Sequence, residues 1–388
     1  MPSSETKALR EELHRAILKI SELQTENLQL TEECLKSKHQ LSELLNENLD
    51  LKQQISALKS GLVLPSSVES SPIIKDGSLS SPSLPSGPKR PTTEHLTWSD
   101  TSLGEIHCLE PNPLSENSFA ISGTNGTVTG FSLDIQSTVR PSPSFSVSED
   151  KSISSICFGG NKLVMGGGTG RAVAVWSTDN HKLLSRFFGH SGKITGIDCS
   201  NDGSCCVSGG LDRNIFVWDV ERSASRSTFS CNSTINDLVL SGSDVAVVGL
   251  LNGVFSCYDL RSSTLICSPD KLHSSRVTAV DVLQQRNVVT LSRDNTLCIS
   301  DLRTGSLVKR ISHPRLRVGT DSTKFGVSLD GKTIAVPCAD GFILLIDSTT
   351  GEVVSTLNTN TSDCIVSAKF LSNFLVSVSR TGTIVVYK

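Results

Sequence analysis

Aromatic residues and methionine are scarce in this chain of 388 residues, which contains three Trp, two Tyr and two Met. Long apolar runs are absent as well: residues 342–346 are typical of the longest, whereas a membrane-spanning helix needs about 20 apolar residues. The formal net charge is only −3, so no general attraction favours nucleic acid or membranes. The first residues, Met-Pro-Ser-Ser-Glu-Thr-Lys, are unlike a signal peptide. These absences predict a soluble, cytoplasmic protein without a nucleic-acid partner.

The twelve cysteines do not follow a metal-ligand spacing, because no Cys-x-x-Cys pair is followed by a second one. Cys205 and Cys206 are adjacent in an expected strand, so their side chains point to opposite faces and cannot chelate one ion together. We interpret the cysteines as small buried residues of a protein in a reducing compartment. The sequence therefore predicts no metal site and no cofactor.

Residues 5–59 contain neither Pro nor Gly and are rich in Leu, Glu, Lys and Gln. A heptad pattern places Leu at most d positions and Ile or Leu at several a positions, while Asn27 and Asn48 interrupt the a column. Asn at a pairs best with its twin in a parallel two-stranded coil, where it sets the register. The pattern predicts a parallel homodimeric coiled coil within residues 1–60. The alternative is a single amphipathic helix packed on the rest of the chain.

Residues 61–93 differ sharply in composition, because Ser and Pro dominate there. Such a segment cannot bury enough apolar surface to offset its chain entropy. We expect it to be a disordered linker, and its length argues against packing of the preceding helix on the C-terminal part.

Residues 188–220 form a strand-rich unit with short strands separated by Gly and Asp turns. Related segments recur through the C-terminal three quarters of the chain, and the third strand of each unit is expected to end at 131, 176, 218, 258, 300, 346 and 387. A period of about 40 to 46 residues with a Trp-Asp pair is typical of propeller blades. The repeat resembles the WD40 family. It predicts an all-β, seven-bladed WD40 propeller over residues 94–388.

The first strands of the blades are expected to begin near residues 105, 152, 193, 234, 276, 323 and 364. The last blade contains only three strands before the chain stops at residue 388. Residues 94–103 precede the first blade and are expected to supply the missing strand. Pairing of the two ends would close the ring and remove exposed edges.

His190, Ser208 and Asp212 could be mistaken for a catalytic triad. The WD40 resemblance implies a different role, in which Trp218, Ser208, His190 and Asp212 form a hydrogen-bonded chain that holds the blade together. A catalytic serine would have to be exposed beside an oxyanion site, whereas Ser208 is expected in the middle of a buried strand. The sequence therefore predicts a structural network and no catalytic residue.

A second unit keeps part of this set: we expect His273, Ser292 and Asp294 to form it, with Ser300 in the position of the Trp. Other units lose the set altogether. A structural network can be lost from one repeat after another, whereas a catalytic site cannot.

Two further motifs have competing interpretations. The Gly-rich residues 166–170 resemble a phosphate-binding loop, but another strand rather than a helix is expected to follow them. Lys309, Arg310, Arg315 and Arg317 form a local basic run that could contact an acidic partner or lipid headgroups. The alternative is that this run is a solvated loop.

The order of coiled coil, linker and propeller resembles the autophagy-related protein 16-like family. Stretches that are similar to that family are residues 274–280, 291–295, 301–304, 319–322, 328–332, 339–341 and 348–351. The Trp that the repeat would have near residue 346 is absent.

The resemblance implies a non-catalytic dimeric scaffold that holds a conjugate of autophagy proteins 12 and 5. In that family the assembly directs the ubiquitin-like modifier 8 onto phosphatidylethanolamine at the forming autophagosome. It also implies peptide-motif partners on the propeller and recruitment to the phagophore membrane. Family members have a helix before the coiled coil that docks on protein 5, and we identify no such helix here. Either residues 5–25 serve both purposes or the docking function is lost.

Two other classes of scaffold remain open. A G-protein β subunit also joins a helix to seven blades, but its helix is shorter and has no Ser/Pro linker. A Groucho-like corepressor has an oligomerising helical region, a long linker and a WD40 ring, and it should carry a nuclear signal. Only Lys89 and Arg90 could serve as one.

Overall fold

The computed structural model describes residue 19, residues 95–99, 104–115, 117–133, 141–148, 152–160, 162–167, 170–284, 286–372 and 374–387. Apart from residue 19, the predicted coiled coil lies outside this part of the chain, as do the linker and the register residues Asn27 and Asn48. The described residues form seven four-stranded antiparallel sheets, numbered 1 to 7 in chain order.

Each of the first six sheets is a meander of four consecutive strands. Sheet 1 contains β2 (Ile106–Pro111), β3 (Ser118–Gly123), β4 (Thr127–Leu133) and β5 (Pro141–Ser148). Sheet 2 contains β6 (Ile153–Gly159), β7 (Lys162–Gly167), β8 (Ala172–Ser177) and β9 (Leu183–Phe188). Sheet 3 contains β10 (Ile194–Cys199), β11 (Cys205–Gly210), β12 (Asn214–Asp219) and β13 (Ala224–Ser230).

The next three sheets repeat the pattern. Sheet 4 contains β14 (Ile235–Ser241), β15 (Val245–Leu250), β16 (Phe255–Asp259) and β17 (Thr264–Cys267). Sheet 5 contains β18 (Val277–Leu283), β19 (Asn287–Ser292), β20 (Thr296–Asp301) and β21 (Leu307–Ser312). Sheet 6 contains β22 (Gly326–Val327), β23 (Thr333–Pro337), β24 (Phe342–Asp347) and β25 (Val353–Asn358).

Sheet 7 is built from both ends of this region. It contains β26 (Ile365–Phe370), β27 (Leu375–Ser379), β28 (Thr383–Tyr387) and, at its outer edge, β1 (His95–Ser99). β1 runs antiparallel to β28, with His95 opposite Tyr387 and Ser99 opposite Thr383. A segment that precedes sheet 1 in the chain therefore supplies the fourth strand of sheet 7.

The first strands of the sheets contact one another in sequence, and β26 returns to contact β2. The sheets thus close into a ring, and the fold is an all-β propeller. The inner three strands are apolar on both faces, since each sheet packs against two neighbours, whereas outer strands such as β9 and β21 are largely exposed. The buried core lies between adjacent sheets, for example where Val207 and Val217 of sheet 3 meet residues of sheet 4.

Tight turns join the second and third strands of six sheets, and a residue with positive φ occupies each turn. These residues are Gly126, Arg213, Gly253, Asn295, Gly341 and Gly382. Gly341 also has no room for a side chain, because an added Cβ would lie 1.9 Å from the carbonyl oxygen of Thr361. The Gly-rich motif is likewise part of a strand connection: Gly166 and Gly167 end β7, and β8 begins at Ala172.

Sheet 6 departs from the expected boundaries. Its first strand contains only Gly326 and Val327, although the sequence predicts a start near residue 323. The preceding Lys324 has left the sheet: its backbone N–H donates to the carbonyl oxygen of Val366 in sheet 7 at 2.7 Å. This contact between neighbouring sheets shortens β22.

Candidate functional site

The four residues of the predicted network lie together in sheet 3. His190 precedes β10, Ser208 lies in β11, Asp212 lies in the turn after it and Trp218 lies in β12. His190 Nδ1 is 2.8 Å from Asp212 Oδ2, and His190 Nε2 is 2.8 Å from Ser208 Oγ. The indole Nε1–H of Trp218 donates to the same Ser208 Oγ at 2.8 Å. The chain of hydrogen bonds therefore joins β11 and β12 to the segment before β10 and to the turn after β11.

Burial and hydrogen bonding together determine the protonation states in this network. Desolvation lowers the pKa of His190 despite the opposing attraction of Asp212. Burial acts to raise the pKa of Asp212, but His190 and nearby backbone N–H donors lower it overall. A neutral His190 satisfies every group if Nδ1–H donates to Asp212 and Nε2 accepts the Ser208 hydroxyl proton. Asp212 Oδ2 also accepts the N–H of Ser191 at 2.8 Å, so the carboxylate anchors the loop.

Ser208 cannot act as a catalytic nucleophile in this arrangement. Its relative exposure is 0%, and its oxygen already accepts the indole proton while its own proton is directed at His190. A substrate carbonyl would have to displace Trp218, whose exposure is only 2%. The geometry of these residues is that of a structural clamp.

Aromatic packing encloses the clamp. The Trp218 ring stacks on Phe187 and Phe216 with centroid distances of 5.1 and 5.0 Å, and Phe216 meets His190 edge to face at 4.5 Å. Gly189 makes room for these rings, because an added Cβ would lie 2.8 Å from Phe216 and 3.0 Å from Trp218. The absence of a side chain at Gly189 thus leaves the space that the large rings of Phe216 and Trp218 occupy.

Sheet 5 contains a reduced form of the clamp, and one residue of our sequence interpretation is wrong. His273 Nε2 is 2.8 Å from Thr290 Oγ1, not from Ser292. Thr290 lies four residues before Asp294, as Ser208 lies four residues before Asp212. Ser292 instead donates from Oγ to the carbonyl oxygen of Ser275 at 3.1 Å. The four-residue spacing was visible in the sequence and identifies the right hydroxyl.

The aromatic residues that enclose the clamp in sheet 3 are also missing from sheet 5. Ser300 occupies the position of Trp218, and Cys298 occupies that of Phe216, with Sγ 3.9 Å from His273 Nδ1. Leu272 stands where sheet 3 has Gly189 and is 2% exposed. His273 remains close to Asp294, but the Nδ1–Oδ2 distance is 3.2 Å. Sheet 5 therefore keeps the histidine–carboxylate pair without the indole.

A cavity of about 300 Å³ lies beside this reduced clamp. The side chains that line it are those of Lys271, Leu272, His273, Ser274, Asp294, Thr296 and Arg310. The sequence alone did not indicate this site, because its two cations are far apart in the chain. Arg310 lies opposite Cys298 in the sheet, so the smaller third-strand residue and the long cation are neighbours.

The structure separates the residues of the predicted basic run. Lys309 and Arg310 are successive in β21, and Lys309 Nζ donates to the carbonyl oxygen of Thr349, whereas Arg310 donates to that of Leu272. The guanidinium of Arg315 lies over the ring of Phe342, 4.6 Å from its centroid. Arg317 follows in the same connection and is exposed. Among these residues, only Arg310 lines the cavity.

Buried charges between the sheets were not anticipated. Asp237 Oδ2 accepts the N–H of Val280 in sheet 5 at 2.8 Å, and its other oxygen contacts Lys324 Nζ. Asp198 Oδ2 accepts the N–H of Leu240 in sheet 4 at 2.7 Å, and burial raises the pKa of Asp198 well above its usual value. These carboxylates join first strands of different sheets. An acidic residue inside an otherwise apolar first strand was the signal that could have revealed them.

Among the described residues, no cluster of His, Cys, Asp or Glu has the geometry to hold a metal ion. Within the same part of the chain, no helix is both long enough and apolar enough to cross a membrane.

The clamp in sheet 3 coincides with a known repeat. Residues 181–219 match the family model of the WD domain, G-beta repeat. This range includes His190, Ser208, Asp212 and Trp218. Propellers with this repeat are typically non-catalytic scaffolds, and nothing in the described residues points to an enzymatic activity.

Several curated proteins are similar to the chain. Protein tipD of Dictyostelium discoideum is 28% identical over 312 residues, which are 78% of this chain and 49% of tipD. Autophagy-related protein 16 of Arabidopsis thaliana is 27% identical over 205 residues, 52% of this chain and 40% of that protein. Small ribosomal subunit protein RACK1 of Drosophila melanogaster is 36% identical over 81 residues, 21% of this chain and 26% of RACK1. The chain thus spans about half the length of the first relative and less of the others.

Proposed function

We propose that this protein is a non-catalytic, dimeric scaffold of autophagosome formation. The observation that carries the proposal is the similarity to autophagy-related protein 16 over 52% of the chain, together with the heptad pattern of residues 5–59. The coiled coil dimerises the chain in parallel and holds autophagy protein 5 or its conjugate with protein 12. The propeller binds peptide motifs of other proteins.

The scaffold directs the lipidation of the ubiquitin-like modifier 8 by bringing the conjugate to the phagophore membrane. The protein is cytoplasmic in this proposal and is recruited to that membrane by its partners, with peripheral contact at most. The clamp in sheet 3 supports the role indirectly, because a rigid ring presents its loops in fixed positions.

Affinity purification of the full chain tests the proposal. We expect the protein 5 homologue to co-purify with residues 1–388, and to be lost when residues 1–60 are deleted. The deleted protein keeps residues 94–388 and serves as the control for binding through the propeller. Recovery of protein 5 with the deleted protein, or no recovery with either, would contradict the proposal.

The alternative is a general WD40 interaction scaffold, such as a Groucho-like corepressor or a G-protein β-like subunit. The similarity to RACK1 favours this alternative, although it covers only 21% of the chain. The same purification distinguishes the two, because a Gγ-like subunit or transcription factors would then replace protein 5 among the recovered partners.

The dimer has its own test. The double change Asn27→Leu and Asn48→Leu removes the polar pair from both a positions and should raise the stability of the coil while permitting higher oligomers. Light scattering of the full chain measures the outcome. A monomer before and after the change would contradict the parallel dimer.

A further inference from the structure

The cavity beside His273 is a small, positively charged site at the surface of sheet 5. Its volume of about 300 Å³ is at the lower end for ligand pockets, enough for a side chain but not for a folded domain. Lys271, Ser274 and Arg310 are exposed at its edge, whereas Leu272 and His273 are buried at its base. The site is therefore accessible to a projecting group.

The one carboxylate in the wall is already occupied. Asp294 accepts the backbone N–H of Ser274 at 2.9 Å and that of Thr296 at 3.0 Å, together with the Thr296 hydroxyl at 2.7 Å. Burial acts to raise the pKa of Asp294, but its hydrogen bonds with His273 and Thr296 outweigh burial and lower it, so the group is an anion held in the wall. Its acceptor positions face the protein rather than a ligand.

The two cations, in contrast, are available. No described carboxylate forms an ion pair with Lys271 or Arg310. The guanidinium of Arg310 donates a hydrogen bond to the carbonyl oxygen of Leu272, which fixes the planar group at the cavity. Its remaining N–H donors can bind a ligand. A fixed guanidinium is suited to a carboxylate, which it can bind through two parallel hydrogen bonds.

The comparison with sheet 3 explains why the site is present here. Thr228 takes the place of Arg310 in the outer strand of sheet 3, opposite Phe216. There, the rings of Phe216 and Trp218 pack against the clamp. Sheet 5 lacks both rings and has a cation, Arg310, in the strand position opposite Cys298.

We propose that this cavity binds an acidic side chain, Asp or Glu, of a linear peptide, with Arg310 and Lys271 as the recognising groups. The assignment rests on the proposed function as a peptide-binding scaffold and names one site and one chemical class for it. A membrane is the less suitable occupant, because Lys309 and Arg315 are engaged elsewhere and do not form a flat cationic surface with Arg310.

The test begins with the full chain and a display library of random linear peptides. We expect the selected peptides to share an Asp or Glu at a fixed position, and replacement of that residue by Asn or Gln to weaken binding. Fluorescence anisotropy measures each peptide against the variants. Arg310→Ala and Lys271→Ala should each weaken binding about tenfold or more, because each removes a charge-assisted hydrogen bond.

Lys309→Ala is the matched control, since it removes the same charge from the neighbouring residue of the same strand. Its effect should stay within about twofold, because Lys309 does not line the cavity and its Nζ donates to the carbonyl oxygen of Thr349 instead. A charge exchange adds a gain of function: Arg310→Glu should lose the acidic peptide and bind a version with Arg in place of the acidic residue. Circular dichroism and the melting temperature verify that every variant is folded.

Several results would overturn the assignment. These are selection of peptides without a shared acidic residue, equal effects of Arg310→Ala and Lys309→Ala, and binding of phosphatidylserine vesicles that depends on Arg310 while no peptide binds. Displacement of a selected peptide by inorganic phosphate through Arg310, with no preference among peptide sequences, would indicate a small-anion site instead. Co-purification of protein 5 through residues 1–60 does not depend on Arg310, so failure of this site and failure of the proposed function are distinguishable.

Discussion

Sheets 3 and 5 both contain a buried histidine beside an aspartate, yet they differ in what surrounds it. In sheet 3, Trp218 completes the chain of hydrogen bonds, and its ring is 2% exposed. In sheet 5, Ser300 stands in that position, and its buried hydroxyl has no hydrogen-bond partner among the described residues. The same local pair thus serves a filled clamp in one sheet and forms the wall of a cavity in the other.

The difference shows that the histidine–aspartate pair and the indole are separable parts. The pair ties the loop to the turn in both sheets, through Ser191 N–H in sheet 3 and Ser274 N–H in sheet 5. The indole adds apolar packing between sheets 2 and 3, where Phe187 stacks on it. A repeat that loses its indole can therefore keep its loop conformation.

The largest expected effect comes from the indole itself. Trp218→Ala should lower the free energy of unfolding by about 3–5 kcal/mol, because it opens a large cavity and removes the donor to Ser208. Urea denaturation followed by circular dichroism measures the loss.

The matched change in the other sheet is Ser300→Ala, which removes a buried hydroxyl without a described partner and should alter stability by less than about 1 kcal/mol. Similar losses for the two variants would mean that the indole is not what distinguishes the two sheets.

The carboxylates give the next largest effect. Asp212→Ala leaves the His190 ring N–H and the Ser191 N–H without their acceptor and should cost about 3 kcal/mol. Asp294→Ala should cost less, about 2 kcal/mol, because its side chain is more exposed (8% against 3%) and its contact with His273 is longer. Urea denaturation of both variants provides the comparison, and a larger loss for Asp294→Ala would reverse our ranking of the two clamps.

The choice of hydroxyl in sheet 5 gives a smaller effect that tests our correction. Thr290→Val leaves His273 Nε2 without its partner in a fully buried site and should cost about 2 kcal/mol, whereas Ser292→Ala should cost about 1 kcal/mol. Thr290→Ser retains the hydroxyl and should recover much of the loss. A greater cost for Ser292→Ala would restore the residue that the sequence pattern first indicated.

The sequence predicted what local chemistry determines. Turn residues and β-branched runs placed the third strands within one or two residues of their observed ends, such as residue 218 against Asp219 in β12. The sequence-based prediction failed where contacts between residues far apart in the chain determine the length of a strand. The first strand of sheet 6 is short because Lys324 bonds to Val366 of the next sheet and contacts Asp237, 87 positions earlier. No local pattern contains such contacts.

The same limit applies to the site. The clamp in sheet 3 was predictable, because all four residues lie within one repeat and at fixed spacings. The cavity in sheet 5 was not predictable, because it depends on the contact of Arg310 with the carbonyl oxygen of Leu272, which is far from it in the sequence. The basic run appeared as one feature in the sequence, although strand alternation directs Lys309 and Arg310 to opposite faces.

The smallest effect we expect is on the pH dependence of stability. The pKa of His190 is lower in the folded protein than its ordinary value of about 6.5, because burial outweighs the attraction of Asp212. The unfolded chain therefore binds a proton first as the pH falls, so the stability that His190 contributes decreases from about pH 6.5 downward. Asp212 titrates in a separate window: its pKa is lowered, so its contribution is present above about pH 4 and is lost only in stronger acid.

Melting temperatures measured from pH 7.5 to 5 should fall less steeply for His190→Gln than for the unchanged protein. His107→Gln tests the same linkage outside the clamp, because burial and Lys193 also lower the pKa of His107. The two changes should reduce the slope independently, since the residues share no described contact, and the double variant should show the sum. A steeper fall for His190→Gln than for the unchanged protein would mean that the fold raises the pKa of His190, so that the imidazole is protonated in the folded state. Nδ1 and Nε2 would then both be donors, and the neutral clamp of sheet 3 would have to be replaced by a charged pair with Asp212.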